Sequence, residues 1–152
     1  MKNNSKVKYL VGDKKLNLKS TLPYNDLLCN FLDYLSKELD SHYLIKKYPD
    51  IKTLAFWCRR GNILKFRKDF MSKEVRLGLG LIFHITPSNI PTNFAYSLIF
   101  GLITGNSNII KVPSKKFIQI EIICKILNKI LKIHKFKEIR KLISIVRYKD
   151  ND

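Results

Sequence analysis

The sequence predicts an α/β protein: part of a doubly wound, Rossmann-like parallel sheet in the order β-α-β-α-β, preceded by two packing helices. Two observations lead to this prediction. In residues 21–75, apolar residues recur at the spacings of three and four that are typical of amphipathic helices. From residue 76 onward, short apolar runs typical of buried parallel strands alternate with longer helical patterns. Short connections between such elements favour parallel strands joined by right-handed crossovers.

The first half of the chain is predicted to hold a lead-in and two helices. Residues 1–20 are polar and rich in lysine, and we expect them to form a weakly ordered lead-in. The first helical pattern covers residues 22–48 and is ended by Pro49, and the second extends over residues 50–70. Together they would make residues 21–75 a helical segment that packs against the remainder.

The second half, residues 76–152, is predicted to be the truncated first half of a nucleotide-binding domain. Residues 79–85 are almost continuously apolar, so we expect a strand buried on both faces. The other predicted elements are a helix over residues 93–104, a strand over 108–112, a helix over 115–134 and a strand over 142–146. This arrangement would have three strands and an unpaired edge.

In doubly wound sheets, ligands bind beyond the carboxyl ends of the strands, where two loops are predicted to lie. The first loop, residues 86–91, reads Thr-Pro-Ser-Asn-Ile-Pro, and its two prolines restrict the backbone. The Asn89 amide could donate to an oxyanion that develops on a thioester or aldehyde. Alternatively, Asn89 could cap the helix that starts near Pro91, which is the commoner use of such an Asn.

The second loop, residues 113–116, lies between the second strand and the next helix. Lys111 ends the strand, and Ser114, Lys115 and Lys116 open the helix, where an anion such as a cofactor ribose phosphate would bind. Alternatively, Ser114 is only an N-cap and the lysines are solvated. Lysines in a first turn oppose the helix macrodipole, which favours the anionic ligand.

Other kinds of site find little support in the sequence. There is no Gly-rich phosphate loop after a strand, and the three histidines suggest no Ser-His-Asp arrangement. The Cys and His spacing of a zinc site is also missing, so no metal is expected. Cys124 lies on the apolar face of its predicted helix and is expected in the core, and His84 is expected to be a buried histidine with a hydrogen-bond partner.

The formal net charge of +17 would suit a polyanionic partner such as nucleic acid or an anionic membrane surface. However, the chain holds 23 Lys but only 6 Arg, together with 20 Ile and 12 Asn. This bias indicates that AT-rich codon usage explains much of the lysine, because phosphate and base recognition favour Arg. We therefore expect no specific nucleic-acid partner.

Cellular location is inferred from cysteines and hydropathy. Three widely spaced cysteines and an N-terminus without an apolar signal region predict a reducing, cytoplasmic environment. Residues 77–110 hold no Asp, Glu, Lys or Arg, but prolines and asparagines interrupt this stretch. We therefore expect no membrane span, which needs about 20 continuous apolar residues.

Residues 80–91, 93–102 and 105–115 carry a family likeness, most clearly in Thr86-Pro87-Ser88-Asn89 and Lys111-Val112-Pro113-Ser114-Lys115. They resemble the fatty acyl-CoA reductases of bacterial luminescence (LuxC type), which belong to the aldehyde dehydrogenase superfamily. The likeness is most specific over residues 79–115 and extends, more weakly, over residues 50–150. It implies reduction of a fatty acyl-CoA, or another acyl thioester, to its aldehyde with NADPH, through an acyl group bound to a cysteine.

The resemblance also implies roles for the first loop. Pro87-Ser88-Asn89 looks like the superfamily's Pro-Trp-Asn. By that match Asn89 is the oxyanion donor, while Thr86, Pro87 and Ser88 line the nicotinamide side of the cofactor.

In the second loop, Lys111, Ser114 and Lys115 look like the superfamily's Lys-Pro-Ser-Glu, which holds the adenine ribose. Two departures are visible: Val112 is inserted after the lysine, and Lys115 stands where the Glu would be. Because a lysine attracts a 2′-phosphate that a Glu would repel, the resemblance implies NADP in preference to NAD.

Full members of this family are several times longer, and their catalytic cysteine lies far downstream of the second loop. None of Cys29, Cys58 and Cys124 matches that nucleophile. The resemblance therefore implies the N-terminal part of a reductase, inactive alone, whose partner is a missing C-terminal half or an acyl-transferring protein. Two hypotheses compete with this one: a small basic binding protein for nucleic acid or an anionic membrane surface, and a fold remnant with no activity.

Overall fold

The structure, a computed structural model, describes residues 7–12, 14–70 and 75–148. At its centre is a four-stranded sheet in the order β1-β4-β3-β2. The strands are β1 (Lys8–Gly12), β2 (Leu81–Ile85), β3 (Ser107–Lys111) and β4 (Ile143–Arg147). β2, β3 and β4 are parallel neighbours, and β1 is antiparallel to β4. The predicted α/β fold is thus confirmed, with its three parallel strands in sequence order.

Six α-helices accompany the sheet in the described residues. They are α1 (Asp26–Asp40), α2 (Pro49–Trp57), α3 (Arg60–Phe70), α4 (Asn93–Ile103), α5 (Ile118–Ile130) and α6 (Lys137–Arg140). Short 3-10 helices cover Ile45–Lys47 and His134–Phe136. α4 connects β2 to β3, and α5 begins the connection from β3 to β4, as the alternating pattern predicted. Among the described helices, none is long and apolar enough to cross a membrane.

The predicted lead-in is wrong for residues 8–12, which form β1 at one edge of the sheet. Val11 is buried against the core and pairs with Ile145 of β4, and the register shifts between Tyr9 and Val11. Asn128 on α5 also donates to the Leu10 carbonyl at 2.8 Å. A short strand held by a distant partner carries too weak a local pattern to be predicted within a lysine-rich segment. Of the predicted segments, residues 1–6, 13, 71–74 and 149–152 lie outside the described residues.

The N-terminal segment contains three α-helices where two were predicted. α1 is capped by the Asn25 side chain, which accepts from the Leu28 amide, and it ends at Asp40, well before the predicted end. Pro49 begins α2 rather than ending a helix, because a proline at the first helical position loses no hydrogen bond. The predicted helix over residues 50–70 is interrupted between α2 and α3, at Cys58 and Arg59.

β2 is shorter and far more exposed than predicted, so its expected burial on both faces is wrong. Leu81, Phe83 and Ile85 share one face of the strand and are 43%, 51% and 71% exposed. Ile82 and His84, on the opposite face, are half-buried. The cause is position: β2 is the edge strand of the sheet, and one of its faces carries no packing layer.

α4 lies close against β3 because Gly101 has no side chain. A Cβ at this position would stand 1.8 Å from the Asn108 Oδ1 atom of β3. α4 ends at Ile103, one residue before the predicted end, and Gly105 follows with a φ of +87°, which favours glycine. The Gly105 carbonyl accepts from the Thr21 amide at 2.9 Å, which joins the N-terminal segment to the sheet.

Candidate functional site

The carboxyl ends of the parallel strands bring the two predicted loops side by side. Ile85, the last residue of β2, pairs with Lys111, the last residue of β3. Lys111 in turn pairs with Val146 near the end of β4. Residues 86–91 and 113–116 therefore leave the sheet at the same edge, which is where doubly wound sheets bind their ligands.

Thr86 joins the two loops directly. Its hydroxyl donates to the Lys111 carbonyl at 2.9 Å, and its amide N–H donates to the same oxygen at 3.2 Å. Thr86 is 9% exposed, so these bonds are shielded from water. The Thr86 side chain therefore fixes where the first loop begins, while Pro87, Ser88 and Asn89 beyond it are exposed.

Asn89 does not cap α4, so the capping interpretation is wrong. α4 begins at Asn93, and its N-cap residue, Thr92, makes no side-chain cap bond. The Asn93 amide instead donates to the Ile90 carbonyl at 3.2 Å, which closes a turn before the helix. Within residues 7–12, 14–70 and 75–148, the Asn89 side chain makes no hydrogen bond. Its amide is thus available to a ligand at the loop.

Ser114 is not a helix cap either. α5 begins at Ile118, three residues later than predicted, and its N-cap residue Phe117 provides no side-chain bond. The Ser114 hydroxyl donates to the Tyr148 carbonyl at 3.1 Å, which ties the second loop to the end of β4. Lys115 is exposed, and its Nζ atom lies 5.1 Å from the centroid of the Phe117 ring.

Lys111 and the inserted Val112 are both buried. The Lys111 side chain extends over the Tyr148 ring, with Nζ 4.9 Å from the ring centroid, and the residue is 8% exposed. Val112 is fully buried, and its amide donates to the Val146 carbonyl at 2.9 Å. The inserted residue therefore continues the ladder between β3 and β4 by one step before the loop turns away.

Arg147, which the sequence analysis did not select, holds the second loop against the end of β4. It is the last residue of β4 and is 9% exposed. Its Nε atom donates to the Pro113 carbonyl at 3.2 Å, and its Nη1 atom lies 2.9 Å from Glu121 Oε1 in the first turn of α5. An arginine directly after the predicted strand over residues 142–146, at the ligand-binding edge, was the available sequence signal.

The three cysteines lack the exposure and the lowered pKa that a nucleophilic thiol needs. Cys29, Cys58 and Cys124 are all buried and free. Burial raises the pKa of the Cys58 thiol to about 12, and burial with the nearby Glu121 raises the pKa of Cys124 to about 12. Burial also raises the pKa of Cys29. The prediction that Cys124 belongs to the core is confirmed.

His84, which was expected to be buried, is only half-buried on β2. Its Nε2 atom lies 3.0 Å from Asn108 Oδ1, so the expected hydrogen-bond partner is present. Across the described ranges, no three His, Cys, Asp or Glu side chains group as metal ligands.

Comparison with known proteins gives a family match. The model of the family described as Acyl-CoA reductase (LuxC) matches residues 43–152, well over half of the chain. The matched region includes α2, the three parallel strands and both loops of the candidate site. Neither a search of curated proteins nor a search of solved structures found a match.

Proposed function

Because the chain belongs to the LuxC family of acyl-CoA reductases, we propose that it is the N-terminal part of an NADPH-dependent reductase that converts a fatty acyl thioester to its aldehyde. The observation that supports this most is the junction of the two loops, where Thr86 donates to the Lys111 carbonyl. Through this bond, a loop suited to an oxyanion and a loop suited to a ribose phosphate share one edge of the sheet.

The residues of the second loop fit NADPH. Between Lys111 and Ile120 no acidic side chain occurs, and Glu121, the next one, is paired with Arg147. An anionic 2′-phosphate near Lys115 would therefore meet positive charge and the uncapped first turn of α5. We propose that Ser114, Lys115 and Lys111 hold the adenine ribose, and that Thr86, Pro87 and Ser88 line the nicotinamide. When bound, the cofactor supplies the hydride that reduces the thioester.

Cofactor preference tests this assignment in the chain itself. Lys115→Glu is expected to weaken NADPH binding about tenfold, while NADH binding changes little, because only NADPH carries the 2′-phosphate. Isothermal titration with both cofactors measures the change. Lys132→Glu, which alters the net charge equally but lies outside this loop, is the control. An equal loss of NADPH affinity in Lys132→Glu would show a general effect of net charge and contradict the assignment.

Asn89 is proposed to donate its amide to the oxyanion of the reduced thioester carbonyl. The exposed amide with no hydrogen bond inside the described chain supports this role. Asn89→Ala should change the free energy of unfolding by less than about 0.5 kcal/mol. It should lower kcat about 10²- to 10³-fold in the enzyme reconstituted with its second half. A marked loss of stability with unchanged kcat would contradict the proposal.

The chain alone is proposed to be inactive, because none of its three thiols can readily form the nucleophilic thiolate. The thiols of Cys58 and Cys124 have a pKa raised to about 12, far above neutral pH. The proposed partner is a C-terminal half that contributes the reactive cysteine, or an acyl-transferring protein. NADPH oxidation by the isolated chain with an acyl-CoA, abolished by a Cys→Ala change, would overturn this proposal.

A further inference from the structure

The junction of α2 and α3 presents an exposed aromatic and basic surface that the reductase proposal does not use. Phe56 and Trp57 end α2 and are 52% and 39% exposed, and Leu64 on α3 is 37% exposed. Arg59, between the helices, is exposed as well. We call Phe56, Trp57, Arg59 and Leu64 the α2–α3 tip.

Contacts within the junction hold these side chains at the surface. Asn62 Nδ2 donates to the Phe56 carbonyl at 2.6 Å, which fixes the turn between the helices. The Trp57 ring stacks on Phe66, with centroids 5.2 Å apart and an interplanar angle of 13°. The Arg59 guanidinium lies 5.2 Å from the centroid of the Phe56 ring. One stacked aromatic pair and one contact between a guanidinium and a ring therefore hold the side chains of the tip in place.

Basic side chains lie on the tip and along α3 beside it. Three of the six arginines of the chain lie within residues 59–67, so a lysine bias in the genome does not account for them. Arg67 forms an ion pair with Asp26 at 3.1 Å. In the described part of the chain, Arg59, Lys65 and Lys68 pair with no carboxylate. These cations remain available to an anionic partner.

We propose that the α2–α3 tip binds an anionic lipid surface, with Phe56 and Trp57 entering the boundary between headgroups and acyl chains. Aromatic rings with an apolar body favour that depth, and exposed basic side chains are attracted to anionic headgroups. A nucleic acid fits less well, because Phe66 and Arg59 already cover one face of each ring that bases would stack on. Leu64 also adds aliphatic surface that bases do not use.

The experiment uses the intact chain, in which Trp57 is the single tryptophan. Vesicles of phosphatidylcholine, with or without about one third phosphatidylserine, are titrated while Trp57 emission is recorded and bound protein is sedimented. The anionic vesicles are expected to shift the emission to the blue and to sediment the protein, and added salt should weaken both effects. No blue shift with anionic vesicles would overturn the proposal.

Variants test whether the tip itself makes the contact. Phe56→Ala should weaken partitioning about five-fold, because the exposed part of the ring no longer enters the apolar boundary. Phe100→Ala is the matched control, since Phe100 on α4 is 49% exposed within a stretch that holds no charged residue. Arg59→Gln should also weaken partitioning about five-fold, against Lys132→Gln as its control.

Two results in these variants would overturn the proposal. The first is an equal loss of partitioning in Phe56→Ala and Phe100→Ala, which would indicate nonspecific adsorption of exposed apolar residues. The second is binding of an oligothymidylate that Phe56→Ala weakens, with vesicles leaving the emission unchanged. That result would assign the tip to single-stranded nucleic acid.

Discussion

Replacement of Arg147 tests whether this buried residue positions the second loop. Arg147→Met keeps the aliphatic stem but removes the hydrogen bond of 3.2 Å from Nε to the Pro113 carbonyl. The donor of this bond is charged. Such a bond contributes about 1.5–3 kcal/mol. The ion pair with Glu121, whose side chain is 56% exposed, adds only about 0.5 kcal/mol. The buried Nη2 atom has no hydrogen-bond partner in the described chain, so its removal offsets part of the loss.

The net expectation for Arg147→Met is a loss of about 2 kcal/mol in the free energy of unfolding, with an unchanged m-value in urea. In a domain of this size the midpoint of thermal unfolding should fall by about 4–8 °C. Glu121→Gln removes the ion pair alone and should cost about 0.5 kcal/mol. If Glu121→Gln lowers the free energy of unfolding as much as Arg147→Met does, the ion pair stabilises the fold and the hydrogen bond to the Pro113 carbonyl does not. NADPH affinity should fall in Arg147→Met and stay nearly constant in Glu121→Gln.

Two further predictions concern packing and pH. Gly101→Ala should lower the free energy of unfolding by about 2 kcal/mol or more, since its Cβ would stand 1.8 Å from Asn108 Oδ1. Gly61→Ala, whose Cβ would meet nothing within 4 Å, should raise the free energy of unfolding by up to about 0.5 kcal/mol, because alanine favours the helix α3. Urea titrations of both variants measure these changes. The thiols of Cys58 and Cys124 have a pKa raised to about 12 in the folded chain, against about 8.5 in the unfolded chain. The protonated thiols therefore stabilise the fold fully below about pH 8.5, and this stabilisation is lost as the pH rises towards 12. Each should lower the free energy of unfolding by about 1.4 kcal/mol per pH unit in that window, and a Cys124→Ala variant with the wild-type pH slope would contradict this assignment.

The parts of the fold that the sequence predicted are those with a strong local pattern. α4 and α5 repeat apolar residues over three turns, and β2 and β3 are short, mainly apolar strands flanked by Gly, Asn or Pro. The sequence placed the two loops together because both follow parallel strands. Neighbouring parallel strands end at the same edge of a sheet, so the loops that follow them lie side by side. The local rules for capping were less informative, because Asn89 and Ser114 both stand where a cap is common and neither caps a helix.

The parts that could not be predicted depend on contacts between distant residues. β1 forms because Val11 reaches a core completed by β4, more than 130 positions along the chain. The role of Arg147 depends on Pro113 and Glu121, which the β3-α5-β4 connection brings beside it. In both cases the local sequence holds one or two informative residues, and the stabilising partner comes from another element.

The open edge of β2 connects the fold to the proposed function. Natural edge strands commonly carry lysine or proline, which deter pairing with another strand, yet β2 has neither in a chain with 23 lysines. In a doubly wound sheet the fourth strand lies beside the first, and β2 is the first of the three parallel strands here. A second half that paired with β2 would cover Leu81, Phe83 and Ile85 and would bring its own carboxyl-end loops beside Asn89. Completion of the sheet and assembly of the proposed active site would then be the same event, because both occur at the free edge of one strand.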